Sequence, residues 1–248
     1  MKANAIPFLA ILVLLALSSV LQARDSLLGA YANKFKGTWV KGKFKELQYQ
    51  IHAPSRVSRQ NSLPVVIYLH GSAECGDDNE KQIKVLGPRS FAKRAQKRPC
   101  ILVVPQAPRG NSWAGTTGDV VLELIDDLLK EVAVADKKRV YLTGFSLGGM
   151  GTWHLLGMRP DLFAAAIPVA GFGKPDIAGK LRGVKVWIFH GDRDGAVPPK
   201  YAREMSEALR KAGAPVKYTE LKNTNHNSPG KVYTQEEVHT WLFAQKRK

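Results

Sequence analysis

The sequence predicts an α/β protein: a mostly parallel, doubly wound sheet of about seven or eight strands with helices on both faces. Two observations lead there. Short unbroken apolar runs, Val65-Val66-Ile67-Tyr68-Leu69 and Ile101-Leu102-Val103-Val104, alternate with stretches of helical periodicity, as strands covered on both faces require. The 248 residues are 44% hydrophobic and 23% charged, which excludes disorder, collagen and a multi-span membrane protein and leaves ample chain for one large core.

Residues 1–23 read as a signal peptide. Lys2 precedes an apolar run from Ile6 to Leu17, small residues Ser18 and Ser19 follow, and cleavage sites fit at Ser18 or Ala23. The run is short for a bilayer span. The expectation is a secreted or periplasmic protein, the alternative being a membrane anchor through residues 6–21. Residues 24–248 show no repeat or long linker and are read as a single domain.

Within that domain, alternation at Leu47, Tyr49 and Ile51 predicts a strand ending before Pro54, and residues 55–62 a polar turn. A helix is expected near residues 80–96, between the two apolar strands. Val120, Val121, Leu124, Ile125, Leu128, Leu129 and Val132 share one helical face, with Asp126, Asp127 and Lys130 opposite. Next come a strand at 139–143, a helix at 147–158, strands at 164–169 and 184–189, a helix at 201–212 and a strand at 216–221. Thr234-Gln235-Glu236-Glu237 reads as a capping box opening a last helix that buries Val238, Trp241 and Leu242. Residues 170–182 are too few to hold a cap domain.

Lys and Arg total 37 against 21 Asp and Glu, a net charge of +16. The positive residues are scattered over different elements, without zinc-finger spacing or an aromatic-basic pattern. That favours a solvated basic surface over a specific nucleic-acid site, with weak attraction to anionic lipid or acidic polysaccharide as the functional reading. Two cysteines exclude a disulfide scaffold and a four-cysteine zinc site. Cys75 falls beyond the carboxyl end of one strand and Cys100 opens the next at the opposite end of the sheet. Five residues of strand cover about 16 Å, more than the roughly 7 Å a disulfide tolerates, so the two should not pair.

Gly144-Phe145-Ser146-Leu147-Gly148 matches G-x-S-x-G and lies between a predicted strand and a predicted helix, the setting of a nucleophile elbow. A serine hydroxyl needs an imidazole to take its proton, and the imidazole needs a carboxylate to orient it. Both should follow at strand exits in the order Ser, Asp, His. The exit after 184–189 offers Asp192 and Asp194, and the exit after 216–221 offers His226. Composition does not choose between the two acids, although Asp192 adjoins Arg193, as a turn or ion-pair residue would; Asp194 is the choice that the resemblance given below implies, standing three residues before Val197-Pro198. His52, His70, His154, His190 and His239 sit in or beside predicted elements, where core or surface roles are expected. Two backbone N–H donors must meet a developing oxyanion. Leu147, directly after the nucleophile, supplies one, and Ser72 in His70-Gly71-Ser72 after the first apolar strand is the natural second. Trp113 is read either as a wall of a substrate pocket or as a core residue.

The chain resembles the α/β-hydrolase superfamily and, within it, the small exported esterases often labelled predicted peptidases, related to the phospholipase/carboxylesterase and dienelactone-hydrolase groups. The resemblance covers residues 64–248 and rests on Leu69-His70-Gly71-Ser72, Val104-Pro105-Gln106-Ala107-Pro108 with Trp113, the stretch from Gly144 to Trp153, Pro160-Asp161-Leu162-Phe163, His190 to Pro198, and His226-Asn227. Cys75 stands where these loops usually carry Arg, and Ser228-Pro229 where an aromatic residue often follows the histidine. Dienelactone hydrolases use cysteine at the elbow, so Ser146 argues against that activity. The resemblance implies an α/β-hydrolase fold without a cap domain and a serine hydrolase of carboxylic esters with Ser146, Asp194 and His226 as triad. No cofactor and no metal are expected. With no cap the site should be open, suited to polar, bulky or polymer-attached esters rather than to a lipid buried under a lid, so the expected partner is a small-molecule or polymer-attached ester. The alternatives are a peptidase with the same triad and a non-catalytic protein on a hydrolase scaffold that binds a polyanion or the cell envelope.

Overall fold

The computed structural model describes residues 18, 19, 21, 22, 24–58 and 60–248. Most of the leader expected over residues 1–23 therefore lies outside the described residues. No described helix is long and apolar enough to cross a membrane.

Eight strands form one sheet: β1 (Trp39–Phe44), β2 (Leu47–His52), β3 (Leu63–Leu69), β4 (Ile101–Gln106), β5 (Ala135–Phe145), β6 (Ala165–Val169), β7 (Lys185–Gly191) and β8 (Val216–Leu221). Their order is β1-β2-β4-β3-β5-β6-β7-β8. β2 runs antiparallel to β1 and β4; the pairs from β4 onward are parallel. Every residue of β3, β4 and β6 is buried, which is why these strands read as unbroken apolar runs.

Successive side chains on a strand point to opposite faces, so the sheet has two cores. Val65, Ile67, Val103 and Leu142 face helices α2 (Thr116–Glu131), α3 (Leu147–Met158) and α4 (Lys200–Lys211), which bury Leu124, Leu155 and Met205. Val66, Tyr68, Leu102 and Tyr141 face α1 (Leu86–Lys93), α5 (Pro229–Tyr233) and α6 (Glu236–Phe243), which bury Phe91, Val232 and Leu242. The segment from Ala170 to Arg182 carries only the 3-10 turn Pro175–Leu181, and no cap domain stands over the sheet.

The structure departs from the sequence reading in three places. The opening of the domain adds β1 and the 3-10 turn Gly29–Lys34, whose Tyr31 is buried and donates its hydroxyl hydrogen to Asp127 Oδ2 at 2.7 Å. The helix expected at 80–96 divides into a 3-10 turn, Lys81–Ile83, and α1, which carries Pro88 in its first turn, where a missing N–H costs nothing. The capping box is not formed. Thr234 is the C-cap of α5 and its hydroxyl donates back to Gly230 O at 2.6 Å, so α6 starts from Gln235 without a side-chain cap.

Candidate active site

The carboxyl ends of the parallel strands meet on one edge of the sheet. β5 delivers Ser146 there with φ +54°, the left-handed region that non-glycine residues avoid, and α3 begins at the next residue. Its N–H donates to Val169 O on the neighbouring strand at 3.0 Å. The first turn of α3 lies directly on the end of β3: a Cβ on Gly148 would stand 1.9 Å from Leu69 O. Only glycine permits that approach, so the close seating of the turn on β3 follows from the glycine pattern.

Two loops bring the partners. Asp192 Oδ1 accepts the N–H of Thr224 at 2.9 Å and the N–H of Arg193 donates to Thr224 O at 3.0 Å, which ties the loop after β7 to the loop after β8. Asp192 is thus a turn residue. His226 Nε2 lies 2.9 Å from Ser146 Oγ, and His226 Nδ1 lies 2.8 Å from Asp194 Oδ2. An ionised carboxylate only accepts, so Nδ1 carries the hydrogen and Nε2 is left to accept the serine O–H. The Asp194 side chain is fully buried, while that of His226 is 29% exposed. Asp194 Oδ1 accepts the N–H groups of Ala196 at 3.0 Å and Val197 at 2.9 Å. All three residues chosen from sequence meet in one chain of hydrogen bonds.

The other flank holds Leu147 and Ser72. Each is the first residue of a helical turn, α3 and Ser72–Glu74 respectively, so its N–H has no acceptor within its own turn. A Cβ on Gly71 would lie 3.5 Å from the Phe145 ring, which sets this loop against the elbow. His70 fixes the loop. Its Nδ1–H donates to Gly71 O at 2.6 Å, its Nε2 accepts the N–H of Ala107 at 3.0 Å, and its carbonyl accepts Trp113 Nε1–H at 3.0 Å. Burial pulls the His70 pKa down to about 4 and keeps the ring neutral.

Farther out lies a layer of buried amides that sequence reasoning missed. Gln106 Oε1 accepts the N–H of Asn79 at 2.7 Å, and its Nε2 donates to Glu74 O at 3.0 Å and Asp78 Oδ1 at 2.9 Å. Gln82 Nε2 donates to Asn79 Oδ1 at 2.6 Å, and Asn79 Nδ2 donates to Tyr49 O at 3.1 Å. The Gln106 amide beside Asp78 is the first of several donors that hold that carboxyl well below the usual range. The one hint in the sequence is Gln106 at the end of an otherwise apolar strand.

Beside Ser146 lies a cavity of about 480 Å³, walled by Trp113, Leu147, Met150, His154, Met158 and Phe172. Trp113, 1% exposed, packs in the core and also lines the cavity. No residue of the loops bearing Asp194 and His226 contributes to this wall. Among the described residues no group of three His, Cys, Asp or Glu side chains is placed to hold a metal ion.

The prolyl oligopeptidase family model matches residues 111–178, which include the elbow. A solved thermostable esterase superposes with a TM-score of 0.77 at 30% identity, covering 85% of this chain and 63% of its own. The chain belongs to the α/β-hydrolase superfamily. A bifunctional acetylxylan esterase/xylanase of Neocallimastix patriciarum is 30% identical over 151 residues, 58% of this α/β-hydrolase and 21% of the relative. Feruloyl esterase B of Thermothelomyces thermophilus is 28% identical over 137 residues, 50% and 44% of the two chains. The α/β-hydrolase chain thus spans less than half the length of either curated relative.

Proposed function

We propose that the protein is a serine hydrolase of carboxylic esters acting through an acyl-enzyme on Ser146. The observation that carries this reading is the His226 ring, hydrogen-bonded through one nitrogen to Ser146 Oγ and through the other to buried Asp194. His226 Nε2 takes the serine proton as Oγ attacks the ester carbonyl, and Asp194 holds the imidazolium that results. The N–H groups of Leu147 and Ser72 receive the oxyanion. His226 then returns the proton to the departing alcohol, and a water activated by the same ring releases the acid.

The leaving alcohol must lie toward His226, which protonates it. The acyl group therefore lies on the other side of Ser146, where the cavity beside Leu147 is lined with apolar side chains. The names of the esterase relatives support an ester over a peptide. The prolyl oligopeptidase match over the elbow supports the second reading, a peptidase with the same residues. Export of the mature chain, with residues 1–23 removed, belongs to the same proposal.

A fluorophosphonate probe should label Ser146, and nitrophenyl esters should turn over faster than peptide nitroanilides. A folded protein that takes no label would instead favour a non-catalytic binder.

A further inference from the structure

Two imidazoles approach the same oxygen of Asp194. One is His226. The other is His190, the second-last residue of β7, whose Nε2 lies 3.3 Å from Asp194 Oδ2 with both side chains fully buried. The same Nε2 lies 2.8 Å from Val197 O. A carbonyl only accepts, so Nε2 carries the hydrogen. His190 Nδ1 is buried with no hydrogen-bond partner among the described residues, so the ring has no place for a second N–H. The structure therefore holds a neutral ring with its single N–H directed at the turn that bears the carboxylate.

We propose that His190 is a positioning residue for the acid–base pair, its neutral N–H holding the Asp194–Val197 turn closed so that Asp194 presents Oδ2 to His226. This rests on the reading of Ser146, His226 and Asp194 as the reacting triad.

The turn is braced in a closed circuit. Asp194 Oδ1 binds the N–H groups of Ala196 and Val197, and the carbonyl of Val197 returns to His190 on the strand. Removing the ring's N–H leaves Val197 O without that donor and frees the turn from β7. The carboxylate then rests only on contacts within its own turn and on His226, the group it has to orient. A cation in place of His190 would serve badly. It would pair with Asp194 from behind and compete for the charge that His226 needs when protonated. A neutral donor steers the carboxylate without drawing on its charge.

The competing reading is a space-filling core histidine, which affects stability and nothing else. Three variants separate the two, each measured for kcat and KM on nitrophenyl butyrate after circular dichroism has verified folding. His190→Leu fills the volume and removes the donor. His190→Asn keeps an amide too short to reach Val197, and His190→Gln carries an amide N–H to about the place of Nε2.

The expected result is a kcat loss on the order of 10²-fold in the Leu and Asn variants, the scale of a small misplacement of a reacting group. KM should stay within about threefold and the Gln variant within about fivefold of wild-type kcat. Wild-type kcat in the Leu and Asn variants, an equal loss in Gln and Asn, or a loss carried by KM would overturn the proposal. Should the Leu variant fail to fold, the Gln and Asn pair decides alone, since the two amides differ by one methylene. Fluorophosphonate labelling of wild-type Ser146 keeps the two readings apart. Without label, triad and positioning role fall together; with label and unchanged kcat in the variants, only the role of His190 falls.

Discussion

The two flanks of Ser146 are built from different chemistry. On the side of Ser72, the groups that hold the loop are a neutral imidazole and buried amides, His70, Gln106, Asn79 and Gln82, with the carboxylates of Asp78 and Glu74 at the edge of the layer. On the side of His226, the supports are carboxylates, Asp194 behind the ring and Asp192 between the loops. On the proposed mechanism an oxyanion forms against Leu147 and Ser72, and the amides that brace this loop are themselves uncharged. On the same mechanism an imidazolium forms at His226, and there the buried carboxylate of Asp194 stabilises it.

That contrast can be broken, beginning with its centre. Ser146→Ala should lower ester turnover by about 10⁴-fold or more while leaving the melting temperature near wild type; retention of more than about a hundredth of the rate would end the acyl-enzyme reading. On the charged flank, Asp194→Asn should cost about 10⁴-fold by stabilising the wrong tautomer of His226. Asp192→Asn should cost at most about tenfold, because that carboxylate only ties two loops. The reverse ranking would move the acid to Asp192.

On the Ser72 flank, Gln106→Leu strips Asn79 N–H and Glu74 O of their partners, at about 1–3 kcal/mol for each group left unpaired. It should lower Tm and reduce kcat by about tenfold through a loosened Ser72 loop. Unchanged kcat in the folded variant would mean that the amide layer serves stability alone. The neutral His70 ring also has a pH signature. The His70 pKa falls from the ordinary 6.5 to about 4 on folding, so the unfolded chain takes up the proton first. Stability present above pH 6.5 is lost as pH drops toward about 4. Tm followed through this window should decline less steeply for His70→Gln than for wild type; identical slopes would contradict a buried neutral ring. The smallest effect concerns the thiols. Cys75 and Cys100 are both free. Alkylation of unreduced, denatured protein should modify both, with no gain after a reductant.

The two flanks were also unequally legible in the sequence. Asp194 and His226 announce themselves because each follows a short predicted strand, and strand exits in a parallel sheet are where ligands bind. Helix α3 was readable to its ends because the nucleophile motif fixes its start. The amide layer left almost no trace: glutamine and asparagine are ordinary surface residues, and only three-dimensional burial shows that Gln106 and Asn79 are structural. β1 was missed for a related reason. It is a half-exposed edge strand, Trp-Val-Lys-Gly-Lys-Phe, whose lysines and glycine blur the alternation. The threonine of the supposed capping box fitted its motif, but a five-residue helix directly before it claimed the side chain. His190 read only as a histidine with a core or surface role, because sequence does not show which carbonyl a ring faces.

Ser146 occupies φ +54° and ψ −115°, a backbone state in which a side chain costs about 1–3 kcal/mol and glycine almost nothing. On the proposed function the folded chain would thus gain from losing its nucleophile: Ser146→Gly should melt at a higher temperature than wild type. Selection for thermal robustness alone would erode this position, and selection for turnover must keep restoring it. The serine at the elbow marks a standing conflict between durability and work, located at a single pair of dihedral angles.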